Sequence, residues 1–374
     1  FLMKKPLFLI FIIYFNVIVF GQEVVFKGQF WSNNLYSDDA LKEQSSFETQ
    51  LGYIPTISYL RYLSDEKLFD IEWAYQINRI YSGNALFSSA ERLYRGWVRY
   101  STNKMEARLG LQKIAFGPAQ VLRPTSWFDT IDLRDPTGQT DGVEAFRLRI
   151  FPSNSLSLWS WVINSNSDTL SYGGRLEVTT LGGDWGLTLH QDPVASRKQV
   201  GLLPIVMSEP NTRAAIDYRY DGFVGLWFEG ASLFSSVDYH SNYDRYNLLT
   251  LGGDFTFPIG NGILVMTESM QIYGTTRTDY DIASEETIEQ TYTVFMASMP
   301  VGLLHRFMAV AQLDWEGKQT YYYWHWGITY DRFSLNFSLS SNPKRIDYAL
   351  EDEYLPTSLA GFGNGLQFAF IYNH

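Results

Sequence analysis

The 374-residue chain contains no cysteine, which excludes disulfide staples, thiolate metal clusters and a cysteine nucleophile. Basic residues are also in deficit: 29 Lys and Arg stand against 40 Asp and Glu, and the formal charge of −11 argues against bulk nucleic-acid binding. No window holds 18 consecutive apolar residues after residue 20, so no helical membrane span is expected there. What is abundant is aromatic: 26 Phe, 25 Tyr and 11 Trp, together with 29 Gly. That mixture suits aromatic-rich strands joined by tight turns rather than helices.

The first segment reads as an address. Lys4 and Lys5 form a positive stretch, Leu7 to Phe20 is apolar except at Asn16, and Gly21 offers a small residue at the expected cleavage point. The run is shorter than the about 20 apolar residues that a spanning helix needs. Residues 1–21 are therefore expected to be a secretory signal peptide, with Met3 as the start, and 22–374 a single barrel domain.

Beyond it the period is two. In 332–340, Phe333, Leu335, Phe337 and Leu339 alternate with Arg332, Ser334, Asn336, Ser338 and Ser340, which on a strand sends one set to each face. Met105, Ala107, Leu109 and Leu111 do the same against Glu106, Arg108 and Gln112, as do Phe69, Ile71, Trp73, Tyr75 and Ile77 against Asp70, Glu72 and Gln76. A helix would scatter both sets around its circumference.

Eighteen such stretches can be read: 23–31, 47–62, 68–81, 91–101, 104–113, 142–151, 155–163, 171–180, 184–190, 212–219, 223–235, 245–257, 262–273, 288–299, 303–315, 320–329, 332–340 and 362–372. Sixteen is the alternative count. The gaps alternate long and short, from 32–46 and 63–67 through 82–90 and 102–103 to 114–141 and 152–154; only 316–319 is weak. Short turns on one rim and long loops on the other are the mark of an outer-membrane barrel. A bilayer core supplies no water for backbone N–H and C=O groups, so strands cross it only in a closed cylinder. An all-β transmembrane antiparallel barrel, in the outer membrane of a Gram-negative bacterium, is the expected fold. A soluble sandwich or propeller would show no such asymmetry between rims.

A barrel this wide is not filled by wall side chains alone. The long loop 114–141 carries Arg123, Trp127, Phe128, Asp129, Asp132, Arg134 and Asp135, and it is expected to fold inward as a constriction. An external cap without contact to the pore is the alternative. If the polar parity is lumenal, the inner wall carries Arg95, Arg99, Lys104, Arg108, Arg147, Arg149, Arg175, Arg213 and Arg219, with Glu91, Glu106, Glu177 and Asp217 on the same faces. Glu48, Asp70 and Glu72 would form an opposing acidic side and a transverse field. Guanidinium rows favour carboxylates, phosphates or acidic sugars, and aromatic rings near the constriction can stack on sugars. An Arg and carboxylate lattice that merely braces the barrel is nearly as good a reading.

The stretch 108–151 carries Arg108-Leu109-Gly110-Leu111-Gln112, Phe116-Gly117, Phe128-Asp129, Asp132, Arg134-Asp135-Pro136, Asp141-Gly142-Val143 and Ala145-Phe146-Arg147-Leu148-Arg149. It resembles outer-membrane porin-like barrels of the alginate-export type. That resemblance implies an inward loop, lumenal arginines and passage of a polar, often anionic, solute. Phe368, Phe370 and Tyr372 fit the aromatic last strand by which such barrels meet the insertion machinery, although Asn373 and His374 displace the terminal aromatic.

Enzyme chemistry finds little support. His240 and Ser241 are adjacent, so on a strand they point to opposite faces and cannot act as base and nucleophile. His190, His305 and His325 lack metal-ligand spacing and suit girdle or lumen positions. The acidic runs 279–286 and 351–353 suit solvated external loops that could bridge lipopolysaccharide through divalent cations. Gly182-Gly183 and Gly252-Gly253 lack the context of a phosphate cradle. No cofactor, resident metal or N-terminal plug is expected. The expected function is a passive channel for small polar, anionic or sugar-like solutes in contact with outer-membrane lipid and lipopolysaccharide; the rival is a non-transporting barrel serving as scaffold in an envelope complex.

Overall fold

The computed structural model describes residues 22–41, 44–164, 169–193, 196–200, 203–207, 210–235, 245–277, 285–345 and 359–374. The expected signal segment 1–21, His240 and Ser241, and the acidic residues 279–284 and 351–353 lie outside the described residues.

In chain order the strands are β1 (Gln22–Ser37), β2 (Phe47–Ser64), β3 (Lys67–Ser82), β4 (Ala85–Thr102), β5 (Met105–Gln112), β6 (Val143–Ser153), β7 (Leu156–Asn164), β8 (Leu170–Thr180) and β9 (Gly183–Asp192). A small hairpin follows, β10 (Ser196–Val200) with β11 (Leu203–Met207). Then come β12 (Asn211–Asp221), β13 (Gly225–Ser235), β14 (Arg245–Phe257), β15 (Ile263–Arg277), β16 (Glu285–Val301), β17 (His305–Asp314), β18 (Gln319–Thr329), β19 (Phe333–Ser341) and β20 (Asn364–Asn373). All but β10 and β11 form one 18-stranded antiparallel sheet, each strand paired with the next.

The sheet closes on itself. β1 pairs with β2 from Gln22↔Arg61 to Tyr36↔Phe47, and with β20 from Gln29↔Asn373 to Ser37↔Gly365. Each of the eighteen strands of this sheet thereby finds backbone partners on both sides, which is the condition for crossing hydrocarbon. Eighteen strands, not sixteen, is the number.

One rim carries the turns 65–66, 103–104, 154–155 and 181–182; the other carries 38–46, 113–142 and 342–363. Two expectations fail at the long-loop rim. The gap expected at 82–90 does not exist, because β3 and β4 run on to a two-residue turn at Gly83 and Asn84, where Gly83 takes φ 57°. The register of β4 also shifts between Arg95 and Leu93. That bulge flips the parity beyond it, so Glu91 pairs across from Ile77 and forms an ion pair with Arg79 on the outer side instead of sharing the face of Arg95. Lys104 sits in the turn before β5 and not on the wall.

The outer face is apolar. Leu187, Ile216, Leu249, Leu251 and Leu366 are exposed, and Phe307 stacks on Trp326 at 5.8 Å between ring centroids, with Phe337 at 5.3 Å on the other side. His305 stacks on the same tryptophan at 6.0 Å, a girdle position. A contiguous apolar surface of this extent is a membrane-facing surface.

Candidate functional site

Residues 113–142 enter the barrel and divide its interior. The first part, 114–129, packs dry. Ile114, Phe116, Leu122 and Trp127 are buried against Trp161 and Ile163 of β7 and against inward residues of β12 to β16, among them Leu233, Leu248, Met270, Ile272 and Val294. Phe116 stacks on Trp161 at 5.8 Å and meets Trp127 edge-on at 5.6 Å, while Phe128 meets His190 at 4.9 Å. Trp161 Nε1–H donates to His190 Nδ1 at 3.2 Å, which accounts for that histidine as a wall residue.

Two carboxylates of the wall hold the same segment by its backbone. Glu268 of β15 accepts from the N–H groups of Gln120, Val121 and Leu122 at 2.6, 2.9 and 2.8 Å, and from Trp227 Nε1–H at 3.1 Å. Glu229 of β13 accepts from Ala119 N–H at 3.0 Å and from both N–H and Oγ1–H of Thr125 at 2.6 Å. Both glutamates are fully buried, and the loop's otherwise unpaired amides supply the bonds such a charge requires. Gly117 lies at φ 88°, and a Cβ there would run into Glu229 and Thr125, so glycine is needed for the approach.

The second part, 130–141, crosses to the far side of the lumen. Tyr323 of β18 donates its hydroxyl to Arg134 O at 3.2 Å; Gln139 donates to Gln29 of β1 at 3.2 Å and accepts from Gln76 of β3 at 2.6 Å. Arg95 donates to Thr140 O at 2.6 Å, and Arg92 pairs with Asp141 at 2.6 Å. Two cavities remain beside this crossing. One, of about 290 Å³, opens toward the long loops and is bordered by Asn33, Gln50, Gln312, Tyr321, Ser340 and Gln367, with Asp132, Arg134 and Asp135 on the loop side. The other, of about 320 Å³, lies toward the short turns beside Lys27, Thr56 and Asn373. Thr137 and Gln139 border both.

The arginines face inward and are engaged. Arg99 forms a two-pronged pair with Asp70 at 2.8 and 2.6 Å, and Arg147 bonds to Glu106 at 2.5 Å. Arg108 and Arg147 are direct cross-strand neighbours, an arrangement of like charges that Glu106 offsets from between them, 3.6 Å from Arg108. Arg175 holds Asp217 at 2.6 and 2.9 Å and Glu177 at 2.9 Å. Arg213 pairs with Asp192, Arg219 with Asp221 and Arg149 with Glu177. Arg108 and Arg149 also lie over the rings of Trp97 and Trp159, at 4.4 and 3.9 Å from the centroids. None of these arginines borders either of the two cavities beside the loop.

Several site expectations change accordingly. Asp70 and Glu72 do not form an opposing acidic side: β3 is adjacent to β4, so Asp70 neutralises Arg99 and Glu72 reaches Lys27 at 3.4 Å. Arg123 and Asp129 form a buried pair at 2.6 Å within the dry segment, and Trp127 and Phe128 are packing residues rather than free stacking platforms. Of the seven loop residues singled out, Asp132, Arg134 and Asp135 border open space. Sequence parity missed Glu229 and Glu268 and the apolar inner wall around Met270 and Val294. A local signal existed: the outward face of β15 and β16 mixes Thr267, Ser269, Gln271, Thr291 and Thr293 with Val265, Tyr273 and Phe295, while the inward face carries Met266, Met270, Ile272 and Val294, so the usual contrast between a polar inside and an apolar outside is lost there.

No protein-family model and no curated protein matches the chain. Solved structures do. Acinetobacter baumannii OccAB1 aligns at 10% identity over 94% of this chain and 96% of its own, with a TM-score of 0.59. Salmonella typhi OmpF, solved in complex with daunomycin, aligns at 9% identity over 95% of this chain and 98% of its own, with a TM-score of 0.50. Closed antiparallel strands, an apolar exterior and agreement over nearly the whole length of both chains make this the outer-membrane porin fold.

Proposed function

We propose that the chain is an outer-membrane channel through which small polar solutes diffuse passively. In this reading the long loops face the outside of a Gram-negative cell, the short turns together with the start of β1 and the end of β20 face the periplasm, and lipid and lipopolysaccharide contact the apolar belt. The observation that carries it is the pair of cavities bordered in common by Thr137 and Gln139, one between the loop and β1, β2 and β17 to β20, the other between the loop and β1, β2, β4 and the end of β20. The inward loop and its Asp135-Pro136 element support the narrower kinship with alginate-export-type barrels. Phe368, Phe370 and Tyr372 on β20 suit capture by the insertion machinery.

The dry packing of 114–129 and the Arg and carboxylate lattice favour a second reading, a closed scaffold barrel without transport. Purified protein in planar bilayers separates the two. Stepwise ion conductance is expected for a channel, and its absence in a correctly folded, inserted protein would leave the scaffold.

A further inference from the structure

The inner wall is divided in charge. From β18 through β20 to β1 and β2, the inward positions around the loop's far side are amides, hydroxyls and small or aromatic groups: Tyr321, Tyr323, Ser338, Ser340, Gln367, Asn33 and Gln50. The arginines singled out above stand on β4 to β6, β8 and β12, each tied to a carboxylate or to loop backbone, whereas Arg306 of β17 bonds Ser298 and Lys27 of β1, paired with Glu72, borders only the other cavity. The loop packs against β7 and β12 to β16, and the space it leaves is on the neutral side. Of the three charges on the loop's own edge, Arg134 holds Asp132 through Nε at 3.0 Å and Nη2 at 2.9 Å, and Asp135 accepts from the N–H and hydroxyl of Thr137.

The amides of the neutral wall are already oriented. Gln367 donates to Asn33 at 2.9 Å and Gln50 donates to Asn78 at 3.2 Å. An amide has two donor hydrogens and an acceptor oxygen with two lone pairs, so one such bond fixes each group while leaving hydrogen-bonding capacity directed at the cavity. A field of fixed amides and hydroxyls beside a tyrosine ring matches vicinal hydroxyl groups on a sugar ring, and the cation at its edge, Arg134, is held by Asp132 with Asp135 alongside, which disfavours a second full negative charge.

Resting on the channel reading, we propose that the 290 Å³ cavity is a binding subsite for an uncharged saccharide ring, contacted by Asn33, Gln50, Gln312, Tyr321, Ser340 and Gln367. The arginine wall, which borders neither cavity, then shapes the barrel and does not contact the solute beside the loop. Selectivity for sugars over sugar acids is the consequence.

The test uses the full barrel in planar bilayers at constant ionic strength, with maltose and gluconate as probes. Maltose is expected to interrupt the ion current in a concentration-dependent way while gluconate does not. Gln367→Leu and Tyr321→Leu, on different strands, are each expected to raise the half-blocking maltose concentration about tenfold, as loss of one or two well-placed hydrogen bonds implies. Blocking by gluconate at lower concentration than maltose, or no response to maltose in a conducting channel, overturns the subsite and leaves the channel standing. Calorimetric titration of maltose into the detergent-solubilised protein covers the opposite failure: binding heat without conductance steps would sink the channel and keep the subsite, and neither signal would end both.

Discussion

Leu122 and Glu268 are 146 positions apart in the chain, and the backbone N–H of the first donates to the carboxylate of the second at 2.8 Å. This bond and its neighbours from Gln120 and Val121 make the loop part of the barrel wall. Glu268→Gln keeps one acceptor oxygen but removes the charge and the second oxygen, so at least one loop amide loses its partner. Charge-assisted bonds of this kind contribute roughly 1.5–3 kcal/mol each, enough to populate detached loop states. Single-channel conductance and current noise should both increase. Unchanged values in the variant would mean that the aromatic packing alone fixes the loop.

Phe116→Ala attacks that packing independently. The ring contacts Trp127, Phe128 and Trp161, and truncating a buried Phe costs roughly 3–5 kcal/mol in a tight core. The expected result is a loop cleaved by protease in detergent while the barrel remains resistant, because the wall strands keep all their ladder bonds. Simultaneous loss of barrel resistance would show that the loop is needed for the barrel itself.

The barrel was legible in the sequence because lipid imposes strict alternation on the outer face; Phe333, Leu335, Phe337 and Leu339 need no partner information to be placed. The interior was less legible. Parity assumes water inside, yet the loop brings Ile114, Phe116 and Leu122 inward, and Met270 and Val294 face these instead of solvent. Glu229 and Glu268 carry no distinguishing sequence signal, since their partners are backbone amides, which leave no trace in residue identity. The bulge at Tyr94 was invisible for a related reason: one extra residue in a strand inverts the faces beyond it without altering composition.

Arg175 and Asp217 test the bracing role of the lattice. Both are buried, and the guanidinium grips the carboxylate by two parallel bonds. Asp217→Ala leaves Glu177 as an ion partner of Arg175 but strips the stronger one, and breaking a buried pair on one side costs roughly 3–5 kcal/mol. Adding Arg175→Met should recover much of the lost stability. Urea unfolding of the refolded barrel measures both variants, and a double variant as unstable as the single one would contradict the uncompensated-charge argument.

Asp38 ties the first long loop to the start of β20. Its carboxylate accepts from the N–H of Asn364 at 2.7 Å and from its Nδ2 at 3.0 Å, and these bonds hold the pKa below the usual aspartate value. A depressed folded-state pKa stabilises above the unfolded value of about 3.9 and is lost as the pH falls through the folded one. Protease sensitivity of the loop 38–46 should therefore be the same at pH 7 and pH 5, whereas Asp38→Ala should increase it at both. A rise in wild-type sensitivity already at pH 5 would argue that Asn364 does not hold the carboxylate.

Leu251 probes the solvent on the outer face. It is 57% exposed on β14, pairs across from Phe228 and Ser269, and has no protein layer over it. If acyl chains cover it, Leu251→Arg should destabilise the membrane-inserted barrel by about 2–4 kcal/mol near the bilayer midplane and less toward either interface. The same substitution on a water-exposed strand would be close to neutral. Equilibrium unfolding from lipid vesicles gives the number directly. A near-zero cost would place this face outside the hydrocarbon, and the reading of the closed sheet as a transmembrane barrel would fall with it.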